Sequence, residues 1–253
     1  MLLPLPPWVP ILGPFGLSSF TLAALLGALG GRWLARRLAG VGDGAAALRA
    51  AVDAALTPLA VGAVVGGRLG NQLLVPDLTW RDPLVWFAVT GASLSYAGAL
   101  VGAGAALWWS RRAGQPSWLA LADLLAPGAA LGLAVGWLGM PGTGRPAPPP
   151  FGLVLGGGPS VVPLQLYGLV GFALLALLLT WQYPRRDYLG QNVASLVALG
   201  SAFRFVLGFA VPGPLSYGNW SLTQWGDVVL AAFGIAMALR LDARGRPARR
   251  VPS

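Results

Sequence analysis

The sequence predicts an all-α polytopic membrane protein with seven transmembrane helices, an N-terminus outside and a C-terminus in the cytoplasm. Hydrophobic residues make up 56% of the 253 residues, charged residues only 10%, and the mean hydropathy is +0.68. Soluble domains carry about a quarter charged residues, so these values favour a membrane protein. Charge-poor apolar runs of about 20 residues, the length that crosses a bilayer, supply the spans.

Seven such runs follow one another along the chain. We place them at 14–34, 54–74, 83–109, 118–139, 161–181, 189–210 and 221–239. Nothing basic precedes the first run, and Arg32, Arg36 and Arg37 lie at its end or directly after it, so we interpret that run as an N-out anchor rather than a cleavable signal peptide.

The arginines predict the orientation of the spans. Thirteen of the 17 basic residues, all of them arginine, follow the first, third, fifth and seventh runs. The opposite connections hold only Arg81 and Arg145. Because cytoplasmic loops are enriched in basic residues, the C-terminus is predicted to lie in the cytoplasm. Residues 1–240 then form a membrane domain, and 241–253 a basic cytoplasmic tail near anionic headgroups.

The residue types that are missing exclude several kinds of chemistry. The chain has no histidine and no cysteine, and its acidic residues are all aspartate. Only aspartate, tyrosine or water then remain as bases near neutral pH, and a thiolate nucleophile or a zinc site is excluded. We therefore expect no metal and no cofactor. Nucleic acid is not an expected partner, because the arginines lie between apolar runs.

Two arginines lie inside the predicted spans. Arg68 and Arg204 each lie roughly 20 Å along an outward-running helix, so they share a depth near the outer leaflet. Either alone could extend its side chain to the interface, but two at one depth favour a convergent anion site. A phospholipid phosphate suits two guanidinium groups at this place.

Other polar residues at membrane depth are expected to line that pocket: Asn71, Gln72, Gln165, Tyr167 and Gln224. Among acidic residues, Asp227 alone is placed to approach the two arginines. Asp123 is expected to cap a helix or to lie at the interface. Glycine-rich stretches such as "GAVVGGRLG" are typical of close helix packing.

Several motifs resemble, in order and spacing, the prolipoprotein diacylglyceryl transferase family. They are "GGRLGNQLL", "SLSYAGALVGAGAALWWSRRAG", "LADLLAPGAALGLAVGWLG", "PLQLYGLVG" and "FRFVLGF", and the similarity covers residues 12–240. The resemblance implies a seven-span protein of the bacterial inner membrane. It also implies transfer of a diacylglyceryl group from phosphatidylglycerol to the lipobox cysteine of a lipoprotein precursor, with Arg68 and Arg204 matching family arginines.

The chain departs from the family pattern at polar positions. Compared with the family, it has Ala97 in place of a histidine, Gly168 and Gly208 in place of glutamates, and Phe20 in place of a tyrosine. The signature after the fourth span, with its arginine, asparagines and acid, is here Trp137, Met140, Thr143, Gly144 and Arg145.

Three functional hypotheses remain open. The first is a divergent family member with a degenerate catalytic site and a retained phospholipid-headgroup pocket. The second is an active transferase that uses Asp227 or Tyr96 as a substitute base. The third, from another class, is a lipid or solute transporter or an assembly partner.

Overall fold

The computed structural model describes residues 8–12, 15–40, 44–74, 94–110, 117–140, 144–154, 159–211, 216–217 and 219–245. Most of these residues are helical, which confirms the all-α prediction. The helices are α1 (Ser19–Leu38), α2 (Ala45–Leu74), α3 (Tyr96–Ser110), α4 (Trp118–Leu138), α5 (Leu164–Gln182), α6 (Gln191–Gly208) and α7 (Leu222–Gly245). Each of the seven predicted runs overlaps one of them.

Four of these helices are long and apolar enough to cross a membrane, namely α2, α4, α5 and α7. The 15 residues of α3 rise only about 22 Å, short of the roughly 30 Å of a hydrocarbon core. The last turn of α1 carries Arg36 and Arg37. The membrane character is thus supported, while the count of seven spans and the orientation stay predictions.

Several element ends differ from the predicted ones. The first helix begins at Ser19 instead of residue 14, because the antiparallel strands β1 (Trp8–Leu12) and β2 (Phe15–Ser18) precede it. The third begins at Tyr96 rather than residue 83, and residues 83–93 lie outside the described residues. At the other end of the chain, α7 continues to Gly245, into the predicted tail, and 246–253 are not described.

Short strand pairs occupy two connections between helices. Strands β3 (Leu153–Val154) and β4 (Ser160–Val161) pair between α4 and α5. Strands β5 (Ser216–Tyr217) and β6 (Trp220–Ser221) pair between α6 and α7. The first pair lies in the connection that contains Pro146 and three consecutive prolines at 148–150.

Glycine seams bring two pairs of helices into backbone contact. In the seam between α2 and α3, a Cβ atom at Gly66 would lie 2.3 Å from the carbonyl oxygen of Gly98. In the seam between α1 and α4, a Cβ atom at Gly31 would lie 2.5 Å from the carbonyl oxygen of Gly128. Such close approach through small residues is the usual way in which helices pack inside a membrane.

Helix α4 lies at the centre and is tied to α6 by Asp123. This carboxylate is fully buried, and its oxygens accept hydrogen bonds from the backbone N–H groups of Gly190 at 2.7 Å and Val193 at 3.0 Å. Gly190 precedes α6 in the left-handed conformation, with φ of 95°. The carboxylate therefore serves as the N-terminal cap of α6, in agreement with the capping interpretation of Asp123.

Candidate functional site

The candidate site begins with an ion pair between α6 and α7. The Nε atom of Arg204 lies 3.3 Å from an Oδ1 atom of Asp227 and donates a hydrogen bond to it. The aspartate side chain is 4% exposed and that of Arg204 is 21% exposed. The two residues meet because α6 and α7 pack along their lengths. Asp227 thus supplies the acidic neighbour that the sequence leads us to expect for one of the two arginines.

Tyr96, the first residue of α3, supports the same arginine from another side. The guanidinium carbon of Arg204 lies 4.5 Å from the centroid of the buried Tyr96 ring, the arrangement of a cation–π contact. The phenolic oxygen packs against α6, where a Cβ atom at Gly200 would lie only 2.7 Å away. Arg204 is therefore held between an aromatic face and a carboxylate.

Arg68 differs from Arg204 in that its buried guanidinium has no hydrogen-bond partner among the described residues. It is 3% exposed, and none of its three guanidinium nitrogens has a hydrogen-bond partner among the described residues. One turn further along α2, the side-chain oxygen of the buried Gln72 is likewise unpaired. Burying an unpaired charge is expensive. Arg68 is consequently the strongest candidate within the described part of the chain for contact with an anionic ligand.

Both arginines are near the start of α3. The backbone N–H of Ser95 donates to the carbonyl of Gly67, the residue before Arg68, at 2.8 Å. The next residue, Tyr96, contacts Arg204. The described contacts unite Arg204, Asp227 and Tyr96, but they do not include a direct contact between Arg68 and Arg204.

Most of the other predicted pocket residues have structural partners. Gln165 donates to the carbonyl of Met140 at 2.8 Å, and Tyr167 donates to the carbonyl of Phe151 at 3.0 Å. Gln224 donates to the carbonyl of Phe205 and accepts from the backbone N–H of Ser221. These hydrogen bonds join connections to helix ends; that the side chains also line an anion pocket stays a prediction. Asn71, also predicted to line the pocket, is buried.

Close contacts leave no room for a larger side chain at three glycines, among them Gly168 and Gly208, which the resemblance compares with family glutamates. A Cβ atom at Gly168 would lie 2.2 Å from the indole ring of Trp137, so that ring occupies the space a longer side chain would need. At the same end of α4, a Cβ atom at Gly139 would lie 2.6 Å from the Cα atom of Phe20. Near α7, a Cβ atom at Gly208 would lie 2.6 Å from Cγ of Gln224.

Sequence reasoning missed a second charged cluster. The Nε atom of Arg32 lies 2.8 Å from Oδ1 of Asp53, and Nη1 of Arg36 lies 2.5 Å from Oδ2. The signal available was one acidic residue, Asp53, immediately before the second apolar run and after a group of arginines. Within the described residues, no three Asp side chains come together in a group that could hold a metal ion.

Comparisons with known proteins agree with the resemblance. The family model described as prolipoprotein diacylglyceryl transferase matches residues 6–240. Three similar proteins are named phosphatidylglycerol–prolipoprotein diacylglyceryl transferase. That of Paracidovorax citrulli is 35% identical over 75% of each chain. That of Polaromonas naphthalenivorans is 34% identical over 69% of this chain and 70% of its own. That of Nitrosomonas europaea is 33% identical over 81% of this chain and 80% of its own. The chain therefore belongs to the prolipoprotein diacylglyceryl transferase family.

Proposed function

We propose that this chain is a divergent member of the family that keeps a pocket for a phospholipid headgroup and whose transferase reaction is weakened or lost. Its homologues support a prolipoprotein diacylglyceryl transferase function for the family. The proposed ligand is phosphatidylglycerol, which the names of the relatives include. Lipoprotein precursors are the second proposed partner, and the bacterial inner membrane, crossed seven times, is the proposed location.

The observation that carries the proposal is the buried guanidinium of Arg68, which has no hydrogen-bond partner among the described residues. Guanidinium groups bind phosphate oxygens through paired N–H donors, and these bonds are strong where water is excluded. Arg204 adds a second cation whose charge is shared with Asp227. Arg68, Arg204 and Asp227 together carry one net positive charge, which suits the single negative charge of a phosphodiester.

The residues around Arg68 and Arg204 support the proposal that the transferase reaction is weakened or lost. Transfer to a thiol needs a group that accepts the thiol proton, and the described site offers only Asp227 and Tyr96 for that role. Asp227 is bound to Arg204, and Tyr96 faces the same guanidinium. Trp137 and Gly168 replace polar family positions by an apolar contact. The site is thus better equipped to hold an anion than to move a proton.

Complementation tests the loss of catalysis. The chain is expressed in a strain depleted of its own diacylglyceryl transferase, and modification of a lipoprotein precursor is followed by its shift in gel mobility. We expect no restored modification, whereas the authentic enzyme expressed at the same level restores it. Restored modification would overturn the proposal of lost chemistry while leaving the headgroup pocket in place.

Binding tests the retained pocket. Purified protein is titrated with short-chain phosphatidylglycerol, and the double variant Arg68→Gln, Arg204→Gln is expected to lose this binding. Arg145→Gln is the matched control, because Arg145 is an exposed arginine in the connection before α5. Equal binding by the double variant and the unmodified chain would contradict the pocket.

A second candidate function, an active transferase with a substitute base, is favoured by the position of Asp227 and Tyr96 on either side of Arg204. If complementation succeeds, Asp227→Asn and Tyr96→Phe identify which group accepts the proton. The variant that removes the base abolishes the modification, and the other retains it. A transport role instead predicts lipid flux into vesicles that the double arginine variant abolishes.

A further inference from the structure

A cleft lies between α1, α2 and α4, away from the Arg68 and Arg204 pocket. Its volume is about 140 Å³. Its floor is the close glycine contact of α1 with α4, and Leu56, Leu59 and Leu125 form its walls. Ala28 and Ala129 also line it and are exposed, so the cleft opens on the outer surface of the helix bundle.

The size and lining of the cleft suit an apolar chain. A dry apolar cavity of about 150 Å³ accepts a molecule as large as benzene. A cleft of this volume therefore holds a segment of an acyl chain rather than a whole lipid. Because it opens on a surface that faces hydrocarbon in a membrane protein, acyl chains are the neighbours it meets.

One end of the cleft is cationic. Arg32 lines it, and both Arg32 and Arg36 bind Asp53 across the gap between α1 and α2. Each guanidinium carries five N–H donors, and the two bonds to Asp53 use one donor on each. Two positive charges around one carboxylate leave a net positive charge. Arg37, stacked on Trp33, and Arg49, bonded to the carbonyl of Gly40, increase it.

We propose that this cleft is a second lipid site, which binds one acyl chain of an anionic phospholipid and holds its phosphate on Arg32 and Arg36. Basic pockets between transmembrane helices bind anionic headgroups in this way. The site lies about 22 Å from the first pocket along α2, measured by the fifteen residues that separate Asp53 from Arg68. It does not depend on the proposed function, because it shares no residue with the Arg68 and Arg204 pocket.

Lipid stoichiometry tests this site. Delipidated protein in detergent is titrated with dioleoyl phosphatidylglycerol, and bound lipids are counted by native mass spectrometry. Dioleoyl phosphatidylcholine, which has the same chains but no net charge, is the comparison lipid. We expect two bound phosphatidylglycerol molecules and roughly thirtyfold weaker binding of phosphatidylcholine at the cleft, since each of the two arginines contributes about 1 kcal/mol to attraction of an anionic lipid.

Two kinds of variant separate the apolar part of the cleft from its charged end. Ala129→Leu and, on the facing helix, Ala28→Leu place a larger side chain in the opening, and either is expected to remove one bound lipid. Ala105→Leu is the control, since Ala105 is an exposed alanine of α3 that does not line the cleft. The double variant Arg32→Gln, Arg36→Gln is expected to abolish the preference for phosphatidylglycerol, and Arg37→Gln to retain it.

The outcomes separate this proposal from the proposed function. If Ala28→Leu and Ala129→Leu each elute as a folded monodisperse protein and each still bind two lipids, the cleft site is overturned. Equal affinity for the two lipids would overturn its anionic selectivity. Loss of one lipid in the cleft variants combined with no loss in the Arg68→Gln, Arg204→Gln variant would support the cleft and contradict the first pocket.

Discussion

At the scale of single residues, the surroundings of Arg204 determine what it can bind. Tyr96 lies on one side of its guanidinium and Asp227 on another, so the side chain has little freedom before a ligand arrives. A preorganised group loses less conformational entropy on binding than a mobile one. The aromatic face therefore contributes to affinity although the ring itself carries no charge.

This leads to a prediction for Tyr96. Replacement by leucine removes the cation–π contact, worth about 0.5–2 kcal/mol, and is expected to weaken binding of short-chain phosphatidylglycerol by about twofold to thirtyfold. Tyr96→Phe retains the aromatic face and is expected to bind like the unmodified chain. Isothermal titration calorimetry measures both affinities. Equal loss in the two variants would show that the hydroxyl, not the ring, is the group that matters.

Asp123 gives a second prediction at this scale. Asp123→Ala leaves the N–H groups of Gly190 and Val193 without their buried acceptor, and we expect a loss of about 2 kcal/mol of stability, or about 5 °C in Tm. The control is Asp187→Ala, because Asp187 is an exposed aspartate in the connection between α5 and α6. Thermal unfolding in detergent measures both variants. An unchanged Tm for Asp123→Ala would contradict the capping role.

At the scale of elements, the sequence predicts where the helices occur but does not predict the residues at which they begin and end. An apolar run of about 20 residues is a strong signal because a membrane offers few other solutions. The ends depend on contacts between distant residues. The backbone N–H of Ser95, the residue before α3, donates to the carbonyl of Gly67 in α2. Strand β1 pairs with β2 just before α1 begins. Neither pairing leaves a periodic pattern that a local inspection of the sequence detects.

The glycine seam between α2 and α3 supports a prediction about helix pairing. A Cβ atom at Gly102 would lie 2.1 Å from the carbonyl oxygen of Gly62, so Gly102→Ala forces the helices apart at a cost of about 1–3 kcal/mol. At Gly104 nothing lies within 4 Å of an added Cβ atom, and Gly104→Ala is expected to be neutral or slightly stabilising. Comparison of the two melting temperatures checks the seam; equal values would contradict it.

At the scale of the whole molecule, the polar residues of the site were easier to predict than its apolar contacts. Because the chain has few acidic residues, the sequence predicts Asp227 beside an arginine. The packing of Trp137 on Gly168 was not, since complementary volumes between α4 and α5 leave no mark on either segment alone. Depth alone predicts that Gln165, Tyr167 and Gln224 line the pocket, but it cannot predict that each of them donates to a backbone carbonyl.

The orientation of the molecule remains a prediction with a direct test. The chain contains no cysteine, so a single introduced thiol reports its own position without background. Pro148→Cys and Pro184→Cys place it at exposed residues before and after α5. With intact cells and a membrane-impermeant maleimide, we expect labelling at 148 and protection at 184. The reverse pattern would place the C-terminus outside.

The contact of Trp137 with Gly168 also makes the two positions interdependent. An acidic side chain introduced at 168 alone meets the indole ring, and a smaller residue at 137 alone leaves a hole beside a glycine. Each of these single substitutions therefore lowers stability, and a polar side chain fits at 168 only if residue 137 becomes smaller at the same time.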